Sequence, residues 1–116
     1  MKMAQKEDWL VIGVDVSKAK LDLAWGSDGT PETIANTDKE ITRYLIAKIK
    51  APAKTLIVME GTGGYESLLV DLLHQENLAL AIVNPRRVRD FAKGIGWDAK
   101  TDPIDARLIS HYGEVV

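Results

Sequence analysis

Two short apolar runs, each closing on one carboxylate, constrain this 116-residue chain more than any other feature. The first is Leu10-Val11-Ile12-Gly13-Val14-Asp15-Val16 and the second is Thr55-Leu56-Ile57-Val58-Met59-Glu60. Continuous apolar runs of this length read as strands buried on both faces, which arise where helices cover both sides of a parallel sheet. An ionised carboxylate in such a setting is costly unless hydrogen bonds or a cation compensate it. Asp15 and Glu60, taken singly, read equally well as strand-end acceptors of backbone hydrogen bonds or as cation ligands.

The segments around these runs fill in a mixed α/β order. Leu21, Leu23 and Trp25 alternate with Asp22, Ala24 and Gly26, the period of a half-buried strand. Ser27-Asp28-Gly29 supplies a turn and Thr33-Ile34-Ala35-Asn36 a short third strand, so the chain opens as an antiparallel meander. Thr37 and Glu40 have capping-box spacing, and Ile41, Tyr44, Leu45, Lys48 and Ile49 predict a helix that Ala51-Pro52 ends. Gly61-Thr62-Gly63-Gly64 turns from the second run into a helix with a stripe of Leu68, Leu69, Leu72 and Leu73, ended at Asn77. That glycine turn lacks the Gly-Lys-Ser/Thr ending of a P-loop and reads as a plain strand-to-helix connection.

Leu78–Val83 is expected as a third buried strand, and Asn84-Pro85 as the cap and first residue of a helix carrying Val88, Phe91 and Ala92. Gly94-Ile95-Gly96-Trp97 breaks that helix, and the last one is expected from Asp102-Pro103, burying Ile104, Leu108 and Tyr112. The resulting order is β-β-β-α-β-α-β-α-α, an α/β fold whose mixed sheet is flanked by helices and returns through right-handed crossovers. In open sheets of this kind the site lies beyond the carboxyl ends of the parallel strands, where Asp15 and Glu60 both stand.

Length allows one domain, assigned to residues 9–116, behind a flexible polar N-terminus at 1–8. With no cysteine, disulfides and thiolate metal sites are excluded. No signal peptide and no run long enough to cross a bilayer is present, so the expectation is a cytoplasmic protein without a membrane partner. A net charge of −2 confines any nucleic-acid surface to a local patch. Arg86, Arg87, Arg89, Lys93 and Lys100, opposed only by Asp90 and Asp98, form the candidate patch; a solvated helix face is the competing reading. Trp97 reads as a loop residue closing the core before it reads as a base-stacking platform.

A second acidic pair precedes the last helix. If Asp102 and Asp105 share one helix face, their Cβ atoms stand roughly 5–6 Å apart, and turning that face toward the sheet's carboxyl edge brings four acids together. The same residues also make an ordinary helix start, with a capping acid, a proline and an acid near the positive end of the dipole. Two apolar strands ending in acids, plus this pair, exceed what capping requires. Oxygen ligands without cysteine or clustered histidine favour Mg²⁺ or Mn²⁺. Two such ions about 3.5–4 Å apart are a common means of cutting or joining phosphodiesters.

Four ordered motifs carry a resemblance. Gly13-Val14-Asp15-Val16-Ser17-Lys18, Glu60-Gly61-Thr62-Gly63-Gly64-Tyr65-Glu66, Asn84-Pro85-Arg86-Arg87-Val88-Arg89-Asp90-Phe91-Ala92 and Lys100-Thr101-Asp102-Pro103-Ile104-Asp105-Ala106 together resemble the N-terminal domain of DEDD-type insertion-sequence transposases, relatives of the Piv and MooV recombinases. The resemblance implies a ribonuclease H-like, RuvC-like fold and makes Asp15, Glu60, Asp102 and Asp105 a catalytic tetrad that binds divalent metal. It implies DNA as substrate, a guide RNA, a homo-oligomer when full length, and a second domain bearing a serine nucleophile. Ser17, Ser27, Ser67 and Ser110 have no motif that would make them that serine, so the resemblance covers half of an active site. Two other readings compete: a nucleic-acid or partner-binding fragment without catalysis, and one lobe of an actin-like phosphotransferase. Metal-independent DNA binding would favour the first, and ATP binding the second.

Overall fold

The computed structural model describes residues 8–61, 63–97 and 104–116. Its strands are β1 (Leu10–Val16), β2 (Lys20–Trp25), β3 (Glu32–Ala35), β4 (Thr55–Glu60) and β5 (Ala79–Val83). Its helices are α1 (Asp38–Tyr44), α2 (Ser67–Gln75), α3 (Pro85–Gly94) and α4 (Ala106–Val115). The strands form one sheet in the order β3-β2-β1-β4-β5. Pairing is antiparallel from β3 through β2 to β1 and parallel from β1 through β4 to β5, the mixed sheet expected from the sequence.

Strand alternation divides the core into two layers. Ile12, Val14 and Val16 of β1 point to one face with Leu21, Leu23, Ile57 and Met59, where they pack with Ile41 and Leu45 beside α1 and with Leu69, Leu72 and Leu73 of α2. Val11 and Val58 point to the other face and pack with Ile109 of α4. Val88 and Ala92 of α3 join Leu108 and Tyr112 of α4 on that second side, with Trp97 and Ile104 against them. Both faces of β1 and β4 are thereby covered, which is why those runs are apolar throughout.

α4 lies unusually close to the sheet because small residues line its contact. A Cβ at Gly13 of β1 would meet the carbonyl oxygen of Ala106 and the amide nitrogen of Ser110 well inside the 3.0 Å that real Cβ atoms keep. A Cβ at Gly113 would lie 2.7 Å from Cγ2 of Val58 and 2.8 Å from Cγ1 of Val11. Ser110 Oγ donates a buried hydrogen bond of 2.8 Å to the carbonyl of Val11. Ala106 sits over Gly13 and Gly113 over Val11, so α4 runs antiparallel to β1 with its N-terminus at the strand's carboxyl end.

Three sequence expectations need correction. The first helix ends at Tyr44, not at Ile49; a 3-10 turn at Ile46–Lys48 follows. Residues three apart eclipse in such a turn, which brings both Ile46 and Ile49 against the core. β5 is an edge strand and not a buried one, with Ile82 50% exposed, because among the described residues only β4 pairs with it. The last helix begins at Ala106 with Asp105 as its N-cap, so Asp105 stands at the helix entrance and not on a helix face. Asp102 lies outside the described residues.

The caps read from the sequence hold elsewhere. Thr37 accepts from the amide of Glu40, while Glu40 Oε1 reaches back to the amide of Ala35 at 2.8 Å. Asn84 Oδ1 accepts from the amide of Arg86 at 2.8 Å. Asn77 adopts φ 56°, and the amide of Leu78 closes the end of α2 on the carbonyl of Leu73. No helix among the described residues is long and apolar enough to cross a membrane.

Candidate metal and nucleic-acid site

Asp15 and Glu60 stand at the carboxyl ends of neighbouring parallel strands. The register pairs Gly13 with Val58 and Val14 with Met59, and one residue further it sets Asp15 beside Glu60. Alternation turns both toward the face covered by α4, because Val11, four residues before Asp15, and Val58, two before Glu60, pack there. The close seat of Ala106 on Gly13 then brings Asp105 over the same end of β1.

The electrostatics follow from that convergence. Burial raises the pKa of Asp15 most, the charges of Asp22 and Asp105 raise it further, and Lys20 offsets part of the rise. Burial likewise lifts Glu60, with Asp15 adding to the effect and Arg89 opposing it. Glu60 Oε2 is buried without a hydrogen-bond partner among the described residues. Asp105 is engaged: Oδ1 accepts from the amides of Arg107 at 2.9 Å and Leu108 at 3.3 Å. Its other oxygen takes Nε and Nη2 of Arg107 at 3.3 and 3.1 Å. Arg107 in turn has its guanidinium 5.8 Å from the ring centroid of Trp97, and Trp97 packs into the core beside α3 and α4, as a core-closing residue should.

One oxygen at this site, Oε2 of Glu60, would suit a hard cation. A buried carboxylate oxygen without a partner among the described residues and two acids loaded with like charge are what a divalent ion would relieve. Among the described residues, no group of three or more His, Cys, Asp or Glu side chains is close enough to hold a metal ion. Arg107 and the helix amides occupy Asp105, and Asp102 lies outside the described residues.

The cations flank the acids from α3. Val88 and Ala92 turn inward, so at 3.6 residues per turn Arg86, Arg89 and Lys93 share one outer side. All three are exposed, and Arg89 is the one whose charge reaches Glu60. Arg87 is exposed nearer the opposite side, and Lys100 lies outside the described residues. The glycine turn is a connection, with Gly63 at φ 74° and Gly64 at φ 118° leading into α2 at Ser67. Hydroxyls of Ser17, Ser27 and Ser110 are taken by Lys20, Glu114 and Val11 respectively.

One residue escaped the sequence reading. Asp22 pairs with Asp15 across the β1–β2 ladder, on the same face, and accepts a 2.6 Å hydrogen bond from Thr33 Oγ1. The alternation of Leu21, Leu23 and Trp25 had already put Asp22 on the opposite side from the apolar stripe. Only the register says which residue it faces.

A mixed sheet in this strand order, with helices on both faces and acids at the carboxyl ends of its central parallel strands, is a ribonuclease H-like domain. Sequence comparison narrows the class. The transposase family profile matches residues 12–114, and the chain belongs to that family, the IS110-type DEDD transposases. Two relatives, both pilin gene-inverting proteins, come from Moraxella lacunata and Moraxella bovis. Each is 28% identical over 107 residues, covering 88% of this chain and 33% of the relative. The chain thus spans a third of the length of the relatives it matches.

Proposed function

We propose that this chain is the N-terminal catalytic domain of a DNA transposase or site-specific recombinase, with Asp15, Glu60, Asp102 and Asp105 holding Mg²⁺ or Mn²⁺. The observation that carries the reading is the placement of Asp15 beside Glu60 at adjacent strand ends, one oxygen of Glu60 being buried and without a partner among the described residues. A divalent ion held by these carboxylates would supply activation of an oxygen nucleophile and stabilisation of the leaving oxygen of a phosphodiester. The chain's own residues do the rest. Arg86, Arg89, Lys93 and Lys100 hold phosphates of the DNA beside the acids, and Arg107 orients Asp105 until it is needed as a ligand. Residues 9–116 form the unit that does this, and the serine of a second domain, a guide RNA and assembly into a homo-oligomer complete recombination.

A second reading has one observation in its favour: Asp105 is already satisfied by Arg107 and two amides, as a purely structural cap would be. In that case the domain binds nucleic acid without metal chemistry. Calorimetric titration of Mn²⁺ into wild type and Asp15→Ala decides between them, alongside cleavage assays on branched and linear DNA. The catalytic reading expects wild-type binding that Asp15→Ala removes more completely than Asp105→Ala or Asp102→Ala does. Equal Mn²⁺ binding by wild type and Asp15→Ala, or DNA binding indifferent to metal, refutes it.

A further inference from the structure

The two edges of the sheet are built differently. β3 is four residues long and exposes Glu32 and Thr33, the shortness and charge by which edge strands block further pairing. β5, Ala79-Leu80-Ala81-Ile82-Val83, has no charge and no proline, keeps an unbroken register with β4, and leaves Ile82 half exposed. The carbonyl of Val83 accepts from the amide of Gly61, on the β4 side. Backbone groups alternate in direction along a strand, so those of Ala79, Ala81 and Val83 turn to β4. The N–H and C=O of Leu80 and Ile82 point out of the sheet, where no described strand pairs with them.

Those outward groups are self-complementary. When β5 meets a second β5 antiparallel with Ala81 opposite Ala81, Leu80 of each copy faces Ile82 of the other, and the whole strand is matched. Leu80 and Ile82 exchange both backbone bonds in each pair, and the closer, non-hydrogen-bonded pair falls on alanine. The same register brings Glu76, at the end of α2, to the level of Arg86 and Arg87 of the other copy, at both ends of the pairing. Glu76 and Arg87 are exposed, and Arg87 is the arginine turned away from the phosphate-facing side of α3. On the α4 side a cleft of about 270 Å³, lined by Leu56, Ala81, Val83, Tyr112 and Val116, opens beside the strand. We infer that β5 is the docking edge for a second copy of this chain, joined antiparallel through Leu80 and Ile82 and flanked by Glu76 against Arg87. Such an isologous contact closes on itself and turns two sheets into one. Matched hydrogen bonds and opposite charges at both ends select a second copy over an arbitrary extended peptide. The inference rests on the homo-oligomer of the reading above, to which it gives a surface, and draws nothing from metal binding.

Sedimentation velocity of the whole chain, run up to about 1 mM because a single edge contact is small, should show a monomer–dimer equilibrium. Hydrogen exchange should slow with concentration at the amides of Leu80 and Ile82, while those of Ala81 and Val83, turned to β4, stay unchanged. Ile82→Lys, at a half-exposed position, should melt like dilute wild type and abolish the dimer. Glu76→Arg and Arg87→Glu should each weaken association about tenfold through like-charge contact. An equimolar mixture of those two variants should recover it, since both ends then pair opposite charges. A chain that stays monomeric throughout, leaving the edge to a different partner, overturns the inference. A dimer that persists in Ile82→Lys, or forms without slowing the Leu80 and Ile82 amides, overturns the β5 edge alone and keeps the homo-oligomer.

Discussion

Gly13→Ala tests the packing that builds the site. The added methyl would run into the carbonyl oxygen of Ala106 and the amide nitrogen of Ser110, both backbone atoms of α4, with the Cα of Ser110 at 3.0 Å. No side-chain rotation relieves such a contact. Restoring ordinary van der Waals spacing requires α4 to lift by about 1 Å along its N-terminal half. Overpacking of a filled core typically costs 1–3 kcal/mol, and the rigidity of the obstructing atoms puts this case at about 3 kcal/mol. For a domain of this size that is a fall in Tm of roughly 10–15 °C. Urea denaturation should show a lower midpoint at unchanged m, and Mn²⁺ affinity should fall with it, because Asp105 rides on the displaced end of α4. Gly94→Ala is the control, since a Cβ at the last position of α3 meets nothing within 4 Å and should leave stability equal or higher by up to about 1 kcal/mol. A Gly13→Ala protein melting within 2–3 °C of wild type, a shift of under about 1 kcal/mol, would refute the close seating of α4 on β1.

Two further outcomes follow from the same geometry. Asp15 and Glu60 both have raised pKa values in the fold, so the folded chain binds protons more tightly than the unfolded one and loses stability as pH rises through those values. Metal-free protein should therefore become more stable on acidification from neutral pH toward the ordinary carboxylate range. Glu60→Gln should flatten that rise in a thermal-melt series across pH; an unchanged slope would remove Glu60 as a source of it. Ser110→Ala deletes the 2.8 Å bond to the carbonyl of Val11, which still accepts from the amide of Gly26 at 3.1 Å. With no orphaned acceptor the loss should be about 1 kcal/mol, read from the urea midpoint, and a loss above about 3 kcal/mol would point to a role beyond that hydrogen bond.

Much of the architecture is local information. The apolar runs at Leu10–Val16 and Thr55–Glu60, the capping residues Thr37 and Asn84, and the terminating Asn77 each act through neighbours within a few residues. Their chemistry therefore fixes strand, helix start and helix end in place, and with them the β-β-β-α-β-α-β-α-α order. The two strand-end acids were visible for the same reason, since a lone carboxylate stands out against an apolar run. The edge position of β5 is not legible in the sequence, because Leu78–Val83 is as apolar as a central strand. Its exposure depends on whether another strand lies beyond it.

Tertiary structure decided what no local pattern encodes. The partner of Asp22 is set by the β1–β2 register, and a shift of one residue would turn it to the other face. The role of Asp105 as a cap depends on where α4 begins, and its nearness to Asp15 depends on a glycine more than ninety residues earlier in the chain. The sequence alone determined which segments form the sheet and where its acids stand along each strand, because periodicity and side-chain chemistry act over a few residues. Which of those acids face one another was decided by strand register and, for Asp105, by the seating of α4 on Gly13, because pairing and helix-to-sheet contact join residues that no local periodicity connects.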